Sequence, residues 1–208
     1  MLNVCHNCGE YRADKIIDAK ESVAICPICQ HKHPFRQLPL LIVCGPSGAG
    51  KSTVCERIAG TMEKVVVLDA DILWRPEFNK PDNNYRDFSE MWLRLGKNIG
   101  QSGRPLLLFN AGFIPDNIEP CIERRYYSET HYLALTCEDE ILTDRLKKRP
   151  AWRQSHDDLF VAEQIRFNRW FKKQSKKADA KIKILDTSYV SINSTVEQVT
   201  AWIREKVS

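Results

Sequence analysis

Residues 45–52 read Gly-Pro-Ser-Gly-Ala-Gly-Lys-Ser and satisfy G-x-x-x-x-G-K-[ST] at every fixed position. No other feature limits the fold of this chain as strongly. Glycines at 45, 48 and 50 allow a turn tight enough for successive backbone N–H groups to converge on phosphate oxygens. A helix starting near Lys51 adds the positive end of its dipole. From there Lys51 reaches β- and γ-phosphates, and the Ser52 hydroxyl supplies an oxygen to Mg²⁺. The alternative is a chance match in a turn. The flanks argue against it, because the apolar run Leu40–Cys44 has the character of a buried strand and a helical pattern follows the loop. Gly45, Pro46, Ser47, Gly48, Ala49, Gly50, Lys51, Ser52 and Thr53 are therefore the candidate ATP-binding residues.

The rest of the chain alternates in the manner this loop requires. Apolar runs at Leu40–Cys44, Val65–Leu68, Leu106–Phe109, His131–Leu135 and Lys181–Leu185 are the expected strands. Helical patterns fill the gaps at Lys51–Met62, Tyr85–Ile99, Pro115–Tyr127, Glu138–Leu146, Asp158–Lys173 and Ser194–Lys206, the last opened by a Ser/Thr cap with Glu197. Strands separated by helices imply a parallel sheet with right-handed crossovers. No apolar run approaches the roughly 20 residues of a membrane span, and the first residues lack the pattern of a secretory signal. A cytoplasmic protein is expected.

Cys5-x-x-Cys8 and Cys26-x-x-Cys29 repeat one spacing within the first 29 residues. Two such pairs separated by this distance have the spacing of a structural zinc site with four thiolate ligands and no open position. Reduced cysteines in a disordered arm are the alternative. Residues 1–38 are expected to form a zinc ribbon and linker, with His31–Pro39 as the linker and His6, His31 and His33 at the surface. Residues 39–208 would form the P-loop domain. The net charge of +4, from 31 Lys+Arg against 27 Asp+Glu, gives little support to nucleic-acid binding and suits a phosphate-rich ligand equally well.

Two further groups bear on chemistry. Asp69-Ala-Asp71 ends the second expected strand, and strand C-termini face the crevice of a parallel sheet. Asp71 is placed to orient or deprotonate an acceptor hydroxyl, and Asp69 to bind the acceptor or hold water around Mg²⁺; the duller role is a helix cap. Asn110 ends the third strand, where many P-loop proteins carry the Walker-B aspartate. Trp74–Trp92 mixes aromatic residues with Arg75 and Arg86, a composition suited to a planar anionic acceptor. Arg145, Arg149 and Arg153 follow the fourth strand, and a lid near 147–157 would bring them over the phosphates. Asp186-Thr-Ser188 follows the fifth strand, beside the loop, where a purine base would rest.

Gly45–Ser52, Asp69-Ala-Asp71, the three lid arginines and Leu185-Asp-Thr-Ser188 together resemble the adenylate-kinase-like small-molecule kinases over about residues 40–206. That resemblance implies a five-stranded parallel sheet of order 2-3-1-4-5 with flanking helices, Mg·ATP as donor, and closure of the lid. It also implies Lys51, Asp71, Arg145 and Arg149 as catalytic groups, with Asp69, Asp71, Arg75 and Arg153 on the acceptor. The N-terminal ribbon and Asn110 depart from the pattern. A nucleoside or nucleoside monophosphate is the first expected acceptor, and a sugar-like or antibiotic alcohol the second. A nucleotide-dependent RNA-associated factor, using the ribbon on nucleic acid, is the reading from a different class.

Overall fold

The computed structural model describes residues 2–153 and 155–207. Its elements run β1 (Ile16–Asp18), β2 (Val23–Ile25), β3 (Lys32–Pro34), β4 (Leu40–Cys44), α1 (Lys51–Ile58), β5 (Val66–Asp69), α2 (Arg86–Gly100), β6 (Leu106–Phe109), α3 (Pro115–Ile118), β7 (Thr130–Thr136), α4 (Asp139–Lys147), α5 (Asp158–Gln174), β8 (Ile182–Asp186) and α6 (Ile192–Val207). The first three strands make a small antiparallel sheet. The other five make a parallel sheet in the order β5-β6-β4-β7-β8. Counted from β4, that is the expected order 2-3-1-4-5.

β4 is central and buried at all five of its positions. Its side chains alternate between two cores, as the pleat demands. Leu40, Ile42 and Cys44 join Phe88 and Trp92 of α2 and Phe171 of α5 on one face. Leu41 and Val43 join Val54 and Ile58 of α1 and Val199, Trp202 and Ile203 of α6 on the other. Each buried Leu, Ile or Val contributes about 1.5–3 kcal/mol, so the two faces anchor the sheet from both sides. This is the three-layer arrangement of a P-loop α/β fold.

The structure corrects several sequence expectations. α1 stops at Ile58 rather than Met62, where Gly60 and a turn follow. The helix expected over Pro115–Tyr127 breaks at Pro120 into α3 and a 3₁₀ turn over Ile122–Tyr126, because proline removes a backbone donor. α6 starts at Ile192, and Ser191 rather than Ser194 caps it, its Oγ accepting the Ser194 N–H at 3.1 Å. Lys32–Pro34, expected in a linker, is a strand paired with β2. His33 lies on that strand and is buried, not at the surface.

The N-terminal segment is fastened to the larger sheet domain. Phe35 packs edge-on against Tyr126 at 5.8 Å, in a cluster with Leu2 and Ala24. The Tyr126 hydroxyl donates to the Ala13 carbonyl at 2.8 Å. At the centre of the contact, the buried Glu123 carboxylate accepts from Asn3 Nδ2 at 3.0 Å, from Arg94 Nε at 2.9 Å and from Lys97 Nζ. Burial holds the Lys97 ammonium down to about 8, and it lies 3.6 Å from the centre of the Tyr126 ring. Arg94 also donates to the Tyr11 hydroxyl at 2.9 Å. Removing one partner of a buried ion pair leaves an uncompensated charge at a cost of about 3–5 kcal/mol. Glu123→Ala is thus expected to destabilise the protein by that order, read as a lower urea midpoint, whereas Glu129→Ala at an exposed site shifts it little.

Candidate functional site

The loop between β4 and α1 owes its path to close packing. Gly45 has φ +129°, and a Cβ there would lie 2.2 Å from the Leu135 carbonyl oxygen on β7. Only glycine fits so near a backbone. Gly50, at φ +99°, turns the chain into α1 as its N-cap. Across the loop, the Ser47 N–H donates to Gln164 Oε1 of α5 at 2.8 Å.

Lys51 bends back over this loop, donating to the carbonyls of Gly45 at 2.7 Å and Pro46 at 3.0 Å. Burial pushes its ammonium down to about 8, and the nearby Arg149 adds to the effect, while Cys44, Asp71 and Asp69 oppose it. The last two assignments place both carboxylates in the electrostatic field of Lys51. Asp69 caps the short 3₁₀ turn Ala70–Leu73, its Oδ1 accepting the Asp71 N–H at 3.0 Å. Asp71 Oδ1 accepts from Asn110 Nδ2 at 2.9 Å, and Asn110 Oδ1 in turn accepts the Gly112 N–H at 2.8 Å. Burial, then the charge of Asp69, raises the Asp71 carboxyl above its ordinary range.

The arginines separate into two places. Arg145 donates to Thr187 Oγ1 at 3.0 Å and to the Thr187 carbonyl at 2.7 Å. With Arg149, Thr187 and Thr53 it lines a groove of about 300 Å³ along Gly48–Gly50. The expected site beside Asp186-Thr-Ser188 is this groove, and Arg145 stands in its wall. Arg149 is pushed below its usual range by burial and by neighbouring Arg153. Arg153 acts electrostatically on Asp71 and stacks on Trp152 at 4.6 Å. Within the expected lid at 147–157, Ala151–Arg153 form a 3₁₀ turn, and Gln154 lies outside the described residues.

A second cavity, of about 820 Å³, opens at Ser47 and Asp71 and runs between α2 and α5. Trp74, Tyr85, Phe88 and Phe113 contribute rings to it, and so do Phe160 and Phe167 of α5. Phe160, Gln164 and Phe167 are spaced to share one helix face. In sequence such a stripe signals only a helix, because an aromatic stripe toward a cavity has the same period as one toward a core. Ser89, Asn117 and Gln164 also went unnoticed; single polar residues inside helical patterns carry no signal of their own. Asn110 was noticed only as a gap. Arg75, expected at the acceptor, is exposed and is not among the residues that line this cavity. Arg86 is turned to the Pro120 carbonyl, at 2.6 Å.

The donor atoms present suit the expected metals. The four Sγ atoms of Cys5, Cys8, Cys26 and Cys29 lie within 4.8 Å of one another, with Cys5–Cys29 at 3.5 Å and Cys8–Cys26 at 3.8 Å. Tetrahedral Zn–S bonds of about 2.3 Å require S···S near ~3.8 Å. The buried ammonium of Lys15 lies in the field of all four thiols, a counter-charge to a tetrathiolate centre. Ser52 on the first turn of α1, together with Asp69, offers the hard oxygen ligands Mg²⁺ takes.

A family profile described as AAA domain matches residues 41–166, more than half of the chain. The uridylate kinase of Schizosaccharomyces pombe is 33% identical over 60 residues, which cover 29% of this chain and 31% of that protein. The chain thus matches less than a third of the length of that curated relative. Among solved structures, an unliganded sugar kinase from Janibacter sp. HTCC2649 superposes with a TM-score of 0.58 at 15% identity, covering 81% of this chain and 95% of that one. A gluconokinase from Sinorhizobium meliloti 1021 gives 0.55 at 18% identity, covering 82% and 94%. These likenesses establish the fold of P-loop small-molecule kinases. No helix among the described residues is long and apolar enough to cross a membrane.

Metal analysis of the purified chain is expected to find about one zinc per molecule. Stripping it with a strong chelator should lower Tm, because the cluster's binding energy is folding energy. A metal-free chain with unchanged Tm contradicts the assignment.

Proposed function

The chain belongs to the AAA-domain family, and from that premise we propose that it is an ATP-dependent phosphotransferase acting on a hydroxyl of a small molecule. One observation carries the reading. Asp71, ionisable and raised, stands between the phosphate loop and a separate ring-lined cavity, held by Asn110 at 2.9 Å. A phosphate-binding loop alone serves hydrolysis or switching equally well. A carboxylate placed at its junction with a second, acceptor-sized cavity serves transfer.

In this reading the backbone N–H groups of Gly45–Thr53 hold the triphosphate, and the groove walled by Arg145 and Thr187 takes the base. Arg145 therefore positions the donor, a role different from the direct catalytic one expected from sequence. Ser52, with Asp69 nearby, would hold Mg²⁺, which when bound would supply charge neutralisation for the transferring phosphate. Lys51 leaves the Gly45 and Pro46 carbonyls and follows the charge on the γ-phosphoryl. Asp71 takes the proton of the acceptor hydroxyl as its oxygen bonds to the γ-phosphorus. The bond from that phosphorus to the β,γ-bridging oxygen breaks, and ADP departs with the electron pair. Arg149 and Arg153 stabilise the equatorial oxygens and exclude water. The acceptor class is a nucleoside or nucleoside monophosphate in the first instance and a sugar-like alcohol in the second.

An aspartate at position 110 would set a third carboxylate beside Asp69 and Asp71 and could not donate to Asp71. Asparagine both donates and adds no charge, which accounts for the departure from the Walker-B pattern. The RNA-associated alternative finds less support, because Asn3, Tyr11, Ala13 and Phe35 of the N-terminal segment are engaged by the larger domain.

Lys51→Ala is expected to lower kcat by about 10³-fold or more, measured as acceptor-dependent ADP formation. Asp71→Asn is expected to lower kcat by about 10²–10⁴-fold with ATP affinity retained. Base catalysis needs the ionised carboxylate, and the Asp71 pKa is raised. Activity of the native chain should therefore fall as pH drops through that raised value, and this acidic limb should vanish from the residual activity of Asp71→Asn. Unchanged turnover in Asp71→Asn removes the residue from the mechanism.

A further inference from the structure

The cavity beyond Asp71 carries chemistry that narrows the acceptor. Among the residues that line it, Asp71 is the sole charged side chain, and no lysine or arginine is present. Its outer mouth, shared through Ile114, Asn117 and Phe167, adds Asp116, Glu163 and Arg166. Arg166 is itself drawn to Glu163 at 3.8 Å. A phosphate or carboxylate at the end of an acceptor remote from Asp71 would thus lose its hydration with no lysine or arginine in the cavity lining to receive it, Arg153 acting only at the Asp71 end. Of the arginines that composition offered for that task, Arg86 is committed to the Pro120 carbonyl and Arg75 is exposed outside the lining, while Arg94 further along α2 is held by Glu123 and Tyr11.

The walls instead offer flat apolar surface. Trp74 is 41% exposed, and it is fixed by the rings beneath it: edge-on to Phe88 at 5.1 Å and tilted to Tyr85 at 6.1 Å and Phe78 at 6.4 Å. Its position is set before any ligand arrives. Phe160 and Phe167 add rings from α5. One polar atom in this wall lacks a purpose within the folded chain. Ser89 is 1% exposed, and its Oγ has no hydrogen-bond partner. A buried hydroxyl without a partner is destabilising, and a small shift of this wall around a bound ligand would bring the Ser89 hydroxyl to a ligand edge and supply the missing bond.

We propose that the acceptor is an uncharged alcohol carrying a planar heteroaromatic ring, a nucleoside in chemical class, with the ring against Trp74 and the α5 phenylalanines, a polar ring edge on Ser89, and its hydroxyl at Asp71. This rests on the phosphotransfer reading and selects within it, placing the nucleoside ahead of the nucleoside monophosphate and of the sugar acid. The transfer step is the one given above, with ATP as phosphoryl donor and Asp71 as proton acceptor.

Binding and turnover test it separately. The full zinc-loaded chain is titrated with uridine, cytidine, adenosine and guanosine, with their 5′-monophosphates, and with gluconate, following tryptophan fluorescence. At least one nucleoside is expected to quench at a concentration ~100-fold below its monophosphate, and Trp74→Phe should abolish the quench. Ser89→Ala should weaken that nucleoside on the order of tenfold and raise KM more than it lowers kcat. Its Tm should be unchanged or higher, because an unpaired buried hydroxyl has been removed. A structural role for Ser89 would lower Tm and leave affinity alone. Equal or tighter binding of a monophosphate, preferred turnover of gluconate, or no quench by any nucleoside overturns the assignment of the cavity while leaving phosphotransfer standing. A nucleoside that binds as described but supports no ADP formation with Mg·ATP supports the cavity assignment and overturns the kinase reading.

Discussion

At Gly45 the phosphate loop passes so close to β7 that a methyl group would overlap the Leu135 carbonyl. Much of the architecture is arranged around that contact. β4 must lie beside β7, and it does so in parallel register from Leu40↔Thr130 to Cys44↔Ala134. The turn between β8 and α6 meets the same place. Thr187 Oγ1 donates to the Thr136 carbonyl at 3.0 Å and lies 3.4 Å from the Ala49 carbonyl. The carbonyl of Thr187 holds Arg145. The loop's shape, the sheet order and the wall of the donor groove therefore depend on one backbone-to-backbone approach that tolerates no side chain.

The ring-lined cavity at Asp71 is built on a different principle. Its position comes from hydrogen bonds between side chains and loop backbone, not from strand packing. Asp69 caps the turn that presents Asp71, Asn110 fixes Asp71, and Gly112 fixes Asn110. Trp92 ties α2 to this turn by donating from Nε1 to the Ala70 carbonyl at 3.2 Å. Partial desolvation and the neighbouring Asp69 raise the Asp71 carboxyl, although its side chain still meets solvent. Asn110 restrains that rise without neutralising the carboxylate.

How much was legible in the sequence follows from this contrast. The phosphate loop, the strand order and the cysteine pairs were legible because each is a local pattern with a physical cause: glycines for positive φ, alternating apolar runs for layers, paired thiols for a metal. The position of Asp71 near Lys51 was legible because strand ends in parallel sheets converge. The ring-lined cavity was not, since its walls come from residues distant in sequence. Phe160 and Phe167 obey the same period whether they face a core or a cavity. Arg75 and Arg86 appeared to be acceptor contacts because composition records which side chains are near in sequence but not which way they point. His33 was misplaced for a related reason: three-residue strands such as β3 carry too little periodicity to reveal a buried face.

The N-terminal segment and the ring-lined cavity meet through one helix. Arg94 and Lys97, which hold Glu123 alongside Asn3, lie within two or three turns of Phe88 and Ser89 on α2. The Tyr127 hydroxyl braces the same stretch by donating to the Leu93 carbonyl at 2.6 Å. Gly96 admits that tyrosine, since a Cβ there would lie 2.4 Å from its oxygen. α2 is thus clamped over its C-terminal half by buried charge and a tyrosine ring, while its N-terminal turns face the cavity. The cost of desolvating Lys97 and Glu123 is recovered only if their partners stay in register. A cysteine cluster that orders residues 5–29 helps keep Asn3 and Tyr11 in place, and through Glu123 and Arg94 it bears on the helix that carries Ser89.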